Sequence, residues 1–81
     1  MRVNDKMPGP EIVTQARLEN VRYWILNYSV SAHCCFSSTV IDLHDGPDPL
    51  GQFGTVCETF THENAVRICN ALNIAHKGQP K

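Results

Sequence analysis

Eight side chains in this sequence could ligate a metal or carry thiol chemistry: Cys34, Cys35, Cys57, Cys69, His33, His44, His62 and His76. Structural zinc asks for four ligands converging as a tetrahedron, usually from paired Cys-x-x-Cys knuckles. The sequence has no such knuckle. Cys34 and Cys35 are neighbours, and on a strand they would point to opposite faces. A set such as His33, Cys35, Cys57 and His62 could close only in a fold that gathers distant segments. The expectation is therefore no metal and no cofactor, with a zinc-stabilised domain kept as an alternative. A reactive cysteine needs its pKa lowered by a helix N-terminus or a cationic neighbour. Cys34 has His33 beside it and Cys57 lies four residues before an expected helix, but neither has a base or oxyanion donor with it. Cys57 and Cys69 read as buried, inert thiols, and Cys34 or Cys35 as an exposed oxidation liability.

Acid–base chemistry has one candidate, His44-Asp45 with Asp42 and Asp48 close by. Loops do carry catalytic groups, yet Asp45-Gly46-Pro47-Asp48-Pro49-Leu50-Gly51 is also what a plain long connection between strands looks like. There is no Gly-rich phosphate loop, nucleophile elbow or paired carboxylate spacing. The sequence thus predicts no catalytic residues and no enzyme. A different use is open to Arg17, Arg22, Tyr23, Trp24 and Tyr28, since aromatics and arginines on one sheet can stack single-stranded bases. Seven basic residues against eight acidic ones leave a net charge of −1, which supplies no electrostatic footprint for a phosphate backbone or an anionic membrane. Arg22, Tyr23, Trp24 and Tyr28 are kept as binding candidates, and single-stranded nucleic acid as the alternative partner.

The elements that would hold these residues follow from patterning. Eighty-one residues with 42% apolar and 19% charged side chains make one globular domain. Residues 1–10, with Pro8-Gly9-Pro10, read as a flexible arm, 11–78 as the domain and 79–81 as a tail. From Glu11 two readings compete. Pro10 and Glu11 suit the start of a short helix, whereas Ile12, Thr14, Ala16 and Leu18 alternate with polar residues as a strand would. Val13 breaks both patterns, and the reading leans to a strand. Val21–Val30 is the clearest strand, preceded by Glu19-Asn20 as a hairpin turn. Further strands are expected from Cys35 to Leu43 and from Phe53 to Phe60.

Thr61–Lys77 is the helix on which the fold reading rests. Ala65, Ile68, Cys69, Leu72 and Ala75 form one apolar stripe, opposite Arg67, Asn70, Asn73 and Lys77. Thr61 suits the N-cap, Glu63 the first turn, and His76 and Lys77 the last. The expected class is α+β, an antiparallel sheet of three or four strands packed by this one C-terminal helix. Both faces of Val21–Val30 are apolar, and Val40 and Ile41 point to opposite sides. One helix covers one face, so the other needs the N-terminal segment or a second copy of the protein. Near-zero net charge favours self-association, and a homodimer is expected. No run of eighteen apolar residues exists and the polar start does not look like a signal peptide, which points to a cytoplasmic protein without a membrane segment.

The run Thr55-Val56-Cys57-Glu58-Thr59-Phe60, followed by Glu63-Asn64-Ala65-Val66-Arg67-Ile68-Cys69-Asn70-Ala71-Leu72-Asn73, resembles the end of many short phage and prophage proteins. Those end in a strand and an E-N/D-A-x-x-I-x-x-A-L/H-N helix, often with a Trp-bearing strand and an Ile-Asp or Val-Asp strand upstream. Trp24 and Ile41-Asp42 hold those places here. The resemblance, over about residues 21–73, implies phage origin and architecture and no chemistry. The Asp45–Gly51 loop is longer than the tight turn of that group, which leaves the register of the last two strands open. The function expected on these grounds is a non-catalytic accessory or interaction protein.

Overall fold

The computed structural model describes residues 7–78, with elements in the order α1 (Pro10–Leu18), β1 (Tyr23–Leu26), β2 (Ser38–Asp42), β3 (Gly54–Thr59) and α2 (His62–Gly78). The strands form one antiparallel sheet in the order β1-β2-β3, and α2 packs on it. This is the expected α+β class, with three strands and a second helix. The expected tail, 79–81, and residues 1–6 of the expected arm lie outside the described residues.

The segment from Glu11 is a helix, and the strand reading is corrected. Pro10 occupies the first turn, where its missing N–H is no loss, Glu11 lies in that turn and Arg17 in the last. Alternation failed because the burial is helical. Ala16 is buried with Ile12 and Val13 half-buried, a spacing of three and four, while Thr14 and Leu18 are exposed. Val13, which fitted neither pattern, packs against the core. Glu19-Asn20 is not a hairpin turn. Asn20 takes φ 57°, its N–H donates to the Arg17 carbonyl and that of Val21 to the Ala16 carbonyl. These paired bonds end α1 as a Schellman cap, with Val21 and Ala16 sharing the apolar contact. Asn tolerates positive φ here as it would in a hairpin; the sequence alone did not say which.

The strands are shorter than the apolar runs that announced them. β1 ends at Leu26 rather than Val30, and β2 begins at Ser38 rather than Cys35. Between them Thr39 anchors the connection through its buried hydroxyl, which donates to the Tyr28 carbonyl at 2.7 Å and accepts from the Val30 N–H at 3.1 Å. Between β2 and β3 the register slips by one residue. Val40 pairs with Cys57 and Ile41 with Thr55, which leaves Val56 as the extra residue of a bulge. In the long connection Gly46 has φ +137° and no room for a Cβ against the Gln52 carbonyl, and the Gly46–Pro47 peptide is cis. Asp45 lies over Gly54, where a side chain could not fit.

Two cores flank the sheet. On one face Val40, Ala65 and Cys69 are buried, with Tyr23, Ile25, Cys57 and Leu72 against them. On the other, Leu26, Ile41, Leu43 and Phe53 are buried with Ala16 of α1, and Met7, Val13, Val21, Trp24, Tyr28 and Val30 pack around them. The second apolar face therefore has its cover within the chain. Thr61 caps α2 as expected, its hydroxyl accepting from the Asn64 N–H at 3.2 Å. The helix is rotated relative to the expected stripe. Ile68 and Ala75 are exposed, while Asn73 and His76 turn inward.

The buried residues rank the cost of truncation. Ile41 has 0% exposure, so Ile41→Ala should destabilise the domain by about 2–5 kcal/mol in urea unfolding. Leu72→Ala, at a half-buried position, should cost clearly less. Equal midpoints for the two variants would contradict this assignment of the core.

Candidate functional site

The four residues singled out for binding do not share one surface. Tyr23 packs on the α2 face of the sheet and Trp24 and Tyr28 on the α1 face, all half-buried. They form no continuous exposed platform on which bases could stack. Trp24 lines a small apolar cavity of about 170 Å³ with Ile12, Ala16 and Val21, and its indole N–H is buried without an acceptor among the described residues. Burial pushes the Tyr28 hydroxyl above its ordinary pKa.

Arg22 is committed to Asp42. Its Nε donates to Oδ1 at 3.0 Å and its terminal nitrogen to Oδ2 at 2.9 Å, a two-pronged pair. Its guanidinium also sits over the Tyr23 ring, 5.3 Å from the centroid. The Arg22 hydrogen bonds hold the Asp42 carboxyl below its ordinary pKa, and Asp42 holds the Arg22 guanidinium above its own. Asp42 Oδ1 also accepts the His44 N–H at 2.9 Å. The His44 ring stands edge-on to that of His76, with centroids 5.4 Å apart. Loss of water around the ring and then the Arg22 charge push the His44 imidazole below its ordinary value. His76 Nδ1 is buried with no partner among the described residues. These groups have the types needed for acid–base work, but Asp42 is already held by Arg22. Asp45 and Asp48 serve the loop instead, Asp48 Oδ1 accepting the Leu50 and Gln52 N–H groups.

Asn73 does what an adjacent strand would do. Its Oδ1 accepts the Arg22 and Tyr23 N–H groups at 3.0 and 2.9 Å, and its Nδ2 donates to the Tyr23 carbonyl at 3.0 Å. The side chain read as part of a solvated face thus covers the start of the β1 edge. Cys69 beside it is buried, and burial raises its thiol pKa to about 11. Burial also raises Cys57. Both fit the inert reading.

The segment before β2 holds what the sequence missed. Cys34 and Cys35 lie in a turn, not on a strand, with the Phe36 N–H donating to the His33 carbonyl. The two thiols therefore reach the same side, with Sγ atoms 3.6 Å apart. With the His33 imidazole they form a group whose ligating atoms all lie within 4.8 Å of one another. His33 Nδ1 accepts the Cys35 N–H at 3.2 Å, and its ring lies 4.6 Å from that of Phe36, which stacks in turn on Phe60 at 5.1 Å. Glu58 of β3 pins the other end of the segment. Its carboxylate accepts the Ser31 N–H at 2.8 Å and the Ser31 and Ser29 hydroxyls at 2.7 and 3.0 Å. The Ser31 N–H above all holds Glu58 below its ordinary pKa. The alternative set His33, Cys35, Cys57 and His62 is not brought together; His62 Nδ1 is instead 3.4 Å from the Ser38 hydroxyl. The adjacency of Cys34 and Cys35 was visible in the sequence, but on the expected strand it put them on opposite faces.

No family model, curated protein or solved structure matches this chain.

The shifts set a pH dependence. His44 is lowered from 6.5 and Asp42 from 3.8, so for both the unfolded chain binds protons more readily than the folded one. Each contributes stability above its unfolded value that is lost as pH falls through the folded one. Acidification should weaken the fold first below 6.5 through His44 and again below 3.8 through Asp42. His44→Gln should flatten the first of these declines in urea unfolding. An unchanged profile in that variant would remove His44 as its source. At the β1 edge, Asn73→Ala loses three hydrogen bonds to the Arg22–Tyr23 backbone and one to Cys69 Sγ and should cost about 1–3 kcal/mol, with faster exchange of the Arg22 and Tyr23 amides.

Proposed function

We propose that this protein acts by protein–protein contact rather than catalysis, and that it self-associates through the side formed by β3 and the turn into α2. The supporting observation is a set of three exposed apolar side chains on β3, the turn after it and α2. Val56 of the bulge is 44% exposed, Phe60 66% and Ile68 37%. Ile68 lies on the flank of α2 away from Asn73, since five residues at 100° each separate them by roughly 140°. Asn73 faces β1, so Ile68 faces the β3 side. No described segment bonds the outer edge of β3, whereas Asn73 occupies the start of that of β1. One open side and one partly covered side favour a two-fold dimer over a growing fibre. The bulge bends β3, so the contact is by side chains and not by continuing the ladder. Near-neutral charge leaves little repulsion between copies.

An accessory role in a phage or prophage belongs to the same reading. Its support is the resemblance carried by Thr55–Phe60 and Glu63–Asn73, with Trp24 and Ile41-Asp42 upstream, and the neighbours of the gene would test it.

The dimer is tested by sedimentation over a wide concentration range. The expected mass at high micromolar concentration is twice that of the 9.1 kDa chain, and Val56→Lys with Phe60→Glu should shift it to one chain without altering circular dichroism. A single-chain mass for the unaltered protein would refute self-association. A dimer indifferent to both substitutions would place the interface elsewhere.

A further inference from the structure

We propose that His33, Cys34 and Cys35 form a surface site for a thiophilic divalent cation of the zinc type, with three protein donors and one position open. The donors are two sulfurs and one imidazole nitrogen, the mixed set that zinc prefers. At a zinc–sulfur distance of ~2.3 Å, two sulfurs 3.6 Å apart subtend about 100° at the metal, close to tetrahedral. A linear two-thiolate site would need them about 4.6 Å apart, so the spacing favours the three-donor geometry. His33 Nδ1 presents its lone pair to the Cys35 N–H at 3.2 Å, and a metal bound at that nitrogen would replace this hydrogen bond.

Preorganisation separates this group from a chance cluster. The Phe36 ring beside His33 restrains the imidazole. Glu58 fixes Ser29 and Ser31, and the Ser29 hydroxyl accepts the His33 N–H at 3.0 Å. The backbone that presents the three donors is thus tied to β3 before any metal arrives, which lowers the ordering cost of binding. All three donors are exposed, so the fourth ligand is water or a donor from another molecule. Three protein ligands and an open position are the pattern of reactive zinc sites rather than closed structural ones. Binding forms two zinc–thiolate bonds and one zinc–imidazole bond and releases two thiol protons, so affinity rises with pH. The site stands independently of dimer formation.

The test is a titration of the reduced full chain with Co²⁺, followed by displacement with Zn²⁺. Expected is a thiolate-to-cobalt charge-transfer band that saturates at one metal per chain and is bleached by zinc. Cys34→Ser and Cys35→Ser should each abolish it, and His33→Ala should weaken binding at least tenfold. Cys57→Ser should leave it unchanged. The cysteine variants lie at exposed positions, and circular dichroism will show whether they fold. No band in the unaltered protein would overturn the proposal. So would a band that survives Cys34→Ser or Cys35→Ser, or a stoichiometry of one metal to two chains.

Discussion

Val40 and Ile41 are adjacent on the central strand, point to opposite faces and are both fully buried. Everything else in the molecule answers to that. A strand buried on both sides needs a cover on each, and burying such side chains is worth about 1.5–3 kcal/mol apiece. α2 supplies one cover with Ala65 and Cys69, and α1 the other with Ala16. In so short a chain neither layer can be spared, because a small domain has little surplus stability. The Schellman cap at Asn20 matters for the same reason: it ends α1 and delivers Val21 into the core just before β1.

A sheet with only three strands has two edges, and each is handled differently. Asn73 reaches across from α2 and satisfies the Arg22 and Tyr23 N–H groups and the Tyr23 carbonyl at the start of β1. β3 instead carries a bulge at Val56, which disturbs its register without covering its apolar surface. The proposed dimer and the asymmetry of the sheet are therefore two consequences of one arrangement.

β3 also organises the proposed metal site. From the pairing strand Glu58 projects its carboxylate to Ser29 and Ser31, and Phe60 stacks on Phe36. The segment carrying His33, Cys34 and Cys35 is held at one end by this strand and at the other by Phe60, the residue that follows it. The acid–base groups have another setting: Arg22 and Asp42 are paired at the junction of β1 and β2, with the His44 and His76 rings edge-on beside them.

Sequence alone determined the class of fold, the α2 helix with its Thr61 cap, and the need to cover two faces. These depend on local periodicity and on capping chemistry, which a few neighbouring residues specify. Tertiary structure decided what local pattern leaves degenerate. The stretch from Glu11 carries signals of both a helix start and an alternating strand, and burial of Ala16 with Leu26 and Ile41 selects the helix. Asn20 suits any turn that needs positive φ, and the packing of Val21 makes it a helix cap. Asn73 looks solvated until β1 lies beside it. Cys34 and Cys35 point apart on a strand and together in a turn, and contacts from Glu58 and Phe60, more than twenty residues away, hold that segment. Hydrogen bonds and packing between distant segments leave no mark on the spacing of a single stretch, which is why the elements were legible and the site was not.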